Sequence, residues 1–479
     1  MKDKITIDYR TEKYLRFVMD IVVNILCCLV ITVFFIAENK IGSKNFTFIN
    51  FAYVGLVMLF MITFEQYEFY VSSFWEKTVS FTLSGLLSVV VVSAVNLVFF
   101  RSLQLFLINL LLFAAALSFS LVTNFIFSKV IDNEKYFRKP KLLIVAGKMD
   151  DISRMKRVKY GTLAQYDSWY ELLNTDNLDE LDKYMEEKVQ GYDEICLFDN
   201  VKDEMYEIVV DKAMKYNKDL YVVPKVVDVS RIKTKFARLD DVPALYIPNY
   251  SLNVVEEFFK RVMDLVFGIA GGIIAFIPMI IIAAAIKLTS PGPVFYKQLR
   301  LTKNKKEFYI YKFRTMVPDA EKKSGPMFAQ KDDPRITKVG KILRSCRLDE
   351  LPQIINIIKG DMSIVGPRPE RPFFVEQFEK EIDDYDYRFV VKAGLTSLSH
   401  VYGRYSTYIL DRTCYDLLYI SDYSLLLDIK IILLTAKIMF LKDASEGEDE
   451  FKISMVSKEQ ITNSENQEGI KSYEKSEND

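Results

Sequence analysis

Paired cysteines are missing from this sequence. Its five cysteines, Cys27, Cys28, Cys196, Cys346 and Cys414, show neither a disulfide spacing nor a zinc pattern. Two of them sit in an apolar run, which suits a reducing, cytosol-facing protein. An excess of charge is missing too: the formal net charge is −1, so nothing points to nucleic acid as a partner. Histidine occurs once, as His400. No small-residue cleavage site follows the first apolar run, which argues against a signal peptide. Long apolar runs, by contrast, are plentiful. At 479 residues the chain should hold two or three domains.

Four apolar runs, at about 15–37, 48–64, 78–100 and 103–127, each approach the length of about 20 residues that a helix needs to cross a bilayer. Lys2, Lys4, Arg10, Lys13 and Arg16 precede the first, and Lys129, Lys135, Arg138, Lys139 and Lys141 follow the fourth. Positive flanks face the cytoplasm, so both ends should lie inside and the number of spans should be even. The spans carry almost no ionisable residues, so residues 1–132 read as an anchor rather than an ion path.

From 133 to 250 short apolar runs alternate with amphipathic stretches. "KLLIVAG" (141–147), "DEICLF" (193–198) and "LYVVP" (220–224) read as buried parallel strands, with 202–217 as a crossover helix. That pattern predicts a small Rossmann-like, doubly wound α/β domain. Its first strand runs into "AGKMDDISR", which lacks the G-x-G-x-x-G spacing that lets a backbone approach a pyrophosphate. A structural or regulatory role is therefore expected.

Residues 261–287 are apolar and long enough to span. However, Pro278 removes a backbone donor near the middle, and Gly268, Gly271 and Gly272 weaken the half before it. A kinked helix re-entering the same leaflet would keep both flanking domains on one side, against the alternative of a fifth true span. The chain then turns basic, with Lys297, Arg300, Lys303, Lys305, Lys306, Lys312 and Arg314. "SPGPVFYKQ" (290–298) reads as a turn feeding a strand and "EFYIYKFRTM" (307–316) as a strand. Lys303, Lys305 and Lys306 could meet anionic head groups. Lys312 and Arg314 alternate with apolar residues and need buried partners.

Two adjacent acids, Asp349 and Glu350, precede Pro352, which a helix tolerates only in its first turn. A helix is thus expected from 349 or 350 to Gly360, with Asp349 as its N-cap and Glu350 favouring the helix dipole. Capping leaves unexplained the phosphate-competent groups nearby, namely Arg344, Arg347 and the loop "SIVGPRPE" (363–370), where Pro367 and Pro369 hold Arg368 rigidly. Two carboxylates can hold a divalent cation against a phosphate, and an ionised aspartate can attack phosphorus. Chemistry alone suggests Mg²⁺-dependent phosphoryl transfer at a membrane surface.

The stretches "KRVMDLVFG", "SPGPVFYKQ", "YKFRTM", "DPRITKVGKILR", "LDELPQIINIIKGDMSIVGPRPE" and "LLLDIKIILLTAKIM" follow in order between 260 and 440. Over that range the chain strongly resembles the bacterial sugar transferases, the polyprenyl-phosphate sugar-1-phosphate transferases. Its layout is similar to the large four-span members that prime exopolysaccharide, capsule or O-antigen synthesis. The resemblance implies a re-entrant membrane helix at 261–287 and an α/β catalytic domain over 251–442 on the cytoplasmic side of a bacterial plasma membrane. It also implies transfer of a sugar-1-phosphate from a UDP-sugar to undecaprenyl phosphate, with release of UMP. Asp349 would be the nucleophile, Glu350 would assist with Mg²⁺, and Lys312, Arg314, Arg344 and Arg368 would bind phosphate or nucleotide. Room is left for a homo-oligomer.

Departures from the family pattern are local. Ile277-Pro278 stands where a Ser-Pro is frequent at the kink, so the break survives without the serine's hydrogen bond. "AGLTSLSHVYGR" (393–404) stands for "PGITGWAQVNGR", which puts Ser397, Leu398 and His400 in place of glycine, tryptophan and glutamine. His400 could be a general base or a packed polar residue. The altered stretch motivates a second reading, a catalytically weakened scaffold of polysaccharide assembly. "YSLLLDIKIILLTAKIMFLK" (423–442) reads as an interfacial or a packed core helix. The acidic, Ser/Asn-rich segment 443–479 should be a disordered tail.

Overall fold

The computed structural model describes residues 9–37, 43–66, 74–99, 103–131, 141–147, 167–172, 178–198, 201–224, 235–239, 242–246, 251–317, 335–382, 384–403, 409–440 and 471–473. Lys2, Lys4, Lys135, Arg138 and Lys139, expected to set the topology, lie outside these residues, as does most of 443–479. Two compact units emerge, 1–223 with 456–479, and 224–455.

The first unit begins with four helices, α1 (Tyr9–Ala37), α2 (Ser43–Thr63), α3 (Phe74–Phe99) and α4 (Leu103–Ile131). They pack as neighbours around Tyr53, Met61, Phe81 and Leu112. Their polarity is inverted. Asn24, Ser80, Ser84, Ser88 and Asn109 are buried, while Val30, Val33, Val90, Leu111 and Val122 are exposed. A helix in water hides its apolar stripe and shows its polar one. In lipid the polar groups turn inward because no water waits outside. Trp75–Val95 is also long and apolar enough to cross a membrane.

The unit continues as an α/β layer: β1 (Lys141–Ala146), β2 (Asp167–Leu172), α5 (Leu178–Gln190), β3 (Glu194–Phe198), α6 (Asp203–Lys215) and β4 (Asp219–Val223). The order β2-β1-β3-β4 is parallel throughout. Leu143, Val145, Ile195 and Leu197 are fully buried, consistent with strands that read as continuous apolar runs. Residues 471–473 depart from the expected tail. They pair antiparallel with β2, an edge strand whose outer backbone groups accept a partner whatever its side chains.

The second unit opens with the hairpin of β5 (Lys235–Leu239) and β6 (Val242–Tyr246). The sequence groups this hairpin with the domain before it, whereas it falls in the later unit. Next comes α7 (Val254–Thr289), begun by a capping box between Asn253 and Glu256 and containing Pro278. Its polarity is inverted as well. Lys260 and Asp264 are buried while Ile273 and Ile274 are 72% and 78% exposed. These features are those of a membrane protein.

α7 is bolted to the rest of the unit at both ends. Lys260 Nζ donates to Asp428 Oδ2 (2.7 Å) and Tyr419 Oη (2.9 Å), and Tyr419 Oη donates to Asp428 Oδ1 (2.8 Å). Asp264 accepts from Ser363 Oγ and the Ile364 amide. Near the other end Ile282 and Ile286 pack with Phe313 and Leu343. Breaking a buried ion pair such as Lys260–Asp428 typically costs about 3–5 kcal/mol.

The remaining elements are β7 (Phe295–Leu301), β8 (Glu307–Phe313), α8 (Lys338–Ser345), a 3₁₀ turn (Leu348–Gln353), α9 (Ile354–Lys359), β9 (Ser363–Val365), α10 (Pro372–Glu381), β10 (Gly394–Thr396), α11 (Leu398–Tyr402), α12 (Ile409–Ser421) and α13 (Leu425–Met439). β7 and β8 form an antiparallel hairpin, and β9 and β10 a short parallel pair. α10, α12 and α13 close a core around Phe374, Tyr385, Leu417 and Ile431. α13 is thus a core helix, with Asp428 and Ile431 fully buried.

Candidate active site

The acid pair sits on the 3₁₀ turn, not at the start of an α-helix. α8 ends at Ser345 with Cys346 as its C-cap, and Arg347 takes the left-handed conformation (φ 52°, ψ 21°) with no side-chain capping bond. That reverses the chain directly into Leu348–Gln353, with Pro352 inside the turn. Asp349 is therefore not the expected N-cap. With an arginine before it in αL and a proline three residues after it, the backbone tightens to 3₁₀ instead of opening an α-turn. α9 starts only at Ile354 and stops at Gly360, whose φ of 91° is left-handed as a helix terminator requires.

Asn356, fully buried, docks this segment on β8. Its Nδ2 donates to Tyr309 O (2.8 Å) and its Oδ1 accepts from Tyr311 N (3.1 Å), like one residue of an extra strand. The next β8 residue, Lys312, then meets the pair, with Nζ 2.6 Å from Glu350 Oε1.

The two carboxylates are driven apart electrostatically. Burial pushes Asp349 up from the usual aspartate value, Lys312 and Arg344 pull it down, and the Glu350 charge adds to the rise. Burial acts on Glu350 in the same sense, but Lys312 and Arg368 outweigh it and hold the carboxyl well below the ordinary range. Neighbouring acids with opposed environments are suited to different tasks. Glu350 is thereby held as a fixed charge, while Asp349 is a partly desolvated carboxyl group.

The Pro-Arg-Pro loop is set by a backbone crossing. Gly366 N donates to Thr396 O and Gly394 N to Pro367 O, both at 2.9 Å. A Cβ on Gly394 would lie 2.1 Å from Gly366 N, and one on Gly366 2.3 Å from Lys392 O, so neither position has room for a side chain. Arg300 Nη1 donates to Pro369 O (2.9 Å) and reaches Glu370 (3.5 Å). Pro367 and Pro369 are buried, whereas Arg368 is partly buried.

Lys312, Glu350 and Arg368 converge electrostatically beside Asp349, with Arg344 held by Thr315 Oγ1 (2.9 Å) through its Nε. Arg314 does not join them. Its guanidinium donates to Pro291 O (2.6 Å), Ser290 O (2.9 Å) and Ser290 Oγ (2.6 Å), so it seals the end of α7. The strand period would put Lys312 and Arg314 on one face, but β8 ends at Phe313 and Arg314 turns away. Pro278 lies within α7, between Ile277 and Met279, and Met279 packs with Leu348 and Leu351 beside the acids.

Sequence reasoning did not foresee the Arg300 contact to the Pro-Arg-Pro loop, the buried pair Arg388–Asp416 (2.6 Å) or the Ser397–His400 contact (3.0 Å). Only the altered 397–400 stretch hinted at the last. An apolar groove of about 440 Å³, lined by Ile269, Gly272, Phe276, Met279, Ile354 and Ile358, runs between α7 and α9. Among the described residues, no cluster of three or more His, Cys, Asp or Glu groups forms a protein-only metal cage.

The family described as "Bacterial sugar transferase" matches residues 255–442. The UDP-N-acetylgalactosamine-undecaprenyl-phosphate N-acetylgalactosaminephosphotransferase of Aeromonas hydrophila is 42% identical over 187 residues, 38% of this chain and 44% of that protein. The UDP-glucose:undecaprenyl-phosphate glucose-1-phosphate transferase of Klebsiella pneumoniae is 36% identical over 249 residues, 51% of this chain and 53% of that protein. A transferase of the same name from Caulobacter vibrioides is 38% identical over 200 residues, 40% of this chain and 73% of that protein. The first two matches thus span about half the length of those relatives. The matched segment contains α7, the acid pair and the Pro-Arg-Pro loop. The chain belongs to the bacterial sugar transferase family.

Proposed function

We propose that this chain transfers a sugar-1-phosphate from a UDP-sugar to undecaprenyl phosphate, or a similar polyprenyl phosphate, as the first membrane step of polysaccharide assembly. The observation that carries this reading is the divided acid pair, with Lys312 on Glu350 and Arg368 beyond it. An Asp349 carboxylate oxygen attacks the sugar-bearing β-phosphorus. The bond from that phosphorus to the bridging oxygen breaks, and UMP leaves with the electron pair. An oxygen of the polyprenyl phosphate then attacks the same phosphorus, and the aspartate carboxylate is released. Lys312, Arg344 and Arg368 neutralise phosphate charge and orient the group in line. The α7–α9 groove suits the apolar tail of the carrier.

Asp349 and Glu350 suit Mg²⁺, which is commonly held by one or two carboxylates with the substrate phosphates supplying the remaining oxygens. When bound there, the ion would withdraw charge from the transferring phosphoryl group. An assembled site of this kind disfavours a catalytically weakened scaffold. UMP release by the purified chain, measured with undecaprenyl phosphate across a panel of UDP-sugars, is expected for at least one donor. Silence across the panel would sink the reading.

Four spans at 1–132, a Rossmann-like middle domain and a re-entrant α7 complete the proposal, with the catalytic part on the cytoplasmic side of a bacterial plasma membrane. The inverted polarity of α1–α4 supports the spans, and the parallel order β2-β1-β3-β4 supports the middle domain. Re-entry is supported by the anchoring of both ends of α7 within one unit. Single cysteines placed at Ser251 and at Lys306, both exposed, are expected to resist membrane-impermeant thiol reagents in intact cells and to react after permeabilisation. Labelling at 306 from outside would make α7 a true span.

A further inference from the structure

The Arg368 backbone is pinned by the Gly366–Gly394 crossing and by Arg388 Nη2, which donates to Arg368 O at 2.9 Å. Its long side chain is not pinned by that crossing, and an arginine side chain carries about 2 kcal/mol of rotamer entropy to be lost on gripping a phosphate. We propose that His400 is a positioning residue for Arg368: as a neutral imidazole it accepts a guanidinium N–H and aims the fork at the phosphate site beside Glu350. The proposal rests on the phosphosugar-transfer reading above.

Arg368 Nη1 lies 2.8 Å from His400 Nε2. A guanidinium only donates, so Nε2 must accept and the ring proton must sit on Nδ1. Nδ1 lies 3.0 Å from Ser397 Oγ, which also accepts the His400 amide (3.1 Å) as the N-cap of α11. With its lone pairs thus occupied, Ser397 Oγ donates to Ser399 Oγ (2.9 Å), and Ser399 Oγ donates to Asp416 Oδ1 (3.3 Å). Asp416 Oδ2 accepts from Arg388 Nη2 (2.6 Å), the same nitrogen that holds Arg368 O. The circuit leaves Arg368 at its guanidinium and returns at its carbonyl.

Each N–H or O–H hydrogen along this path has one acceptor, the two on Arg388 Nη2 going to Asp416 and Arg368 O, so a single tautomer satisfies it. Burial first, then Arg368, Arg347 and Arg412, hold His400 well below the usual histidine value, with Glu350 opposing them. The imidazole is therefore uncharged beside the arginine it orients. With Nε2 occupied, it is no general base for the incoming phosphate. The serine and histidine that depart from the family's glycine and glutamine are the two residues that fix this tautomer.

The test uses the full-length chain with the UDP-sugar found active, and reads kcat, KM and melting temperature together. His400→Leu, similar in size but without an acceptor, is expected to lower kcat/KM by about 10²-fold, the scale of a small misplacement of a positioned group. His400→Gln presents a carbonyl oxygen to Arg368 and is expected to recover most of that loss. In an Arg368→Ala background the leucine change should cost nothing further, because the group it positions is gone. Equal losses in both backgrounds, a loss that tracks a lowered melting temperature, or a leucine variant as active as wild type would each overturn the assignment. The wild type run alongside separates the two claims. If it turns over and the variants behave as in the overturning outcomes, positioning alone fails. If it releases no UMP with any donor, the reaction and the positioning role fall together.

Discussion

Asp349→Asn is expected to abolish turnover while leaving the fold unchanged. Asparagine keeps the size of the side chain, and no capping bond is lost because the turn has no side-chain cap. What disappears is the anionic oxygen that, in the proposed reaction, bonds to phosphorus, and removing a nucleophile of this kind costs about 10⁴-fold or more. Wild-type enzyme incubated with a β-³²P-labelled UDP-sugar should become labelled in the absence of carrier lipid, since the transferred group keeps the label. The asparagine variant should not. A wild type that never takes up label, together with an asparagine variant that still turns over, would mean direct transfer between the two substrates. The acid pair would then serve only to hold a cation.

Changes at Glu350 and its lysine should differ from this in kind. Glu350→Gln removes a fixed charge rather than the attacking atom, so activity should fall by about 10²- to 10⁴-fold and recover in part as Mg²⁺ is raised. Lys312→Met leaves Glu350 in place but removes the ion pair that does most to keep it ionised. The sign follows from the direction of the shift. In the wild type the Glu350 pKa is depressed, so its charge is lost only at strongly acid pH. Without Lys312 the foremost influence lowering that pKa is gone and the pKa rises, with Arg368 still opposing burial. The acid-side fall in kcat should therefore move to higher pH in the variant. An acid limb that stays where the wild type has it would show that Glu350 is not the group Lys312 serves.

Some of this could be read from neighbours in the chain. Continuous apolar runs announced β1, β3 and β4, although β4, expected to be buried, lies at the sheet edge with Tyr221 and Val222 exposed. Gly360 marked the end of α9, and alternation in 307–313 marked β8. The adjacency of Asp349 and Glu350 beside Arg344 and the Pro-Arg-Pro loop drew attention to the site before any contact was known. Other parts misled for identifiable reasons. Pro352 suggested an α-helix with Asp349 at its cap, but Arg347 in the left-handed region turned the chain too tightly for one. Arg314 resembled Lys312 in setting, but it lies beyond the end of β8 and turns to the carbonyls that close α7.

By itself the sequence determined the apolar segments, the breaks between them and the residue types able to handle a phosphate. These depend on local hydropathy, backbone stereochemistry and functional-group chemistry, all of which act over a few residues. Only the tertiary structure decided which charge faces which. Lys260 meets Asp428 across 168 positions, Lys312 meets Glu350 across 38, and Arg368 meets His400 across 32. A charge withdrawn from water must find a partner wherever packing brings one, and packing is a property of the whole unit. The same burial raises Asp349 and is overcome at Glu350, so two adjacent acids with nearly identical chemistry acquire opposite shifts.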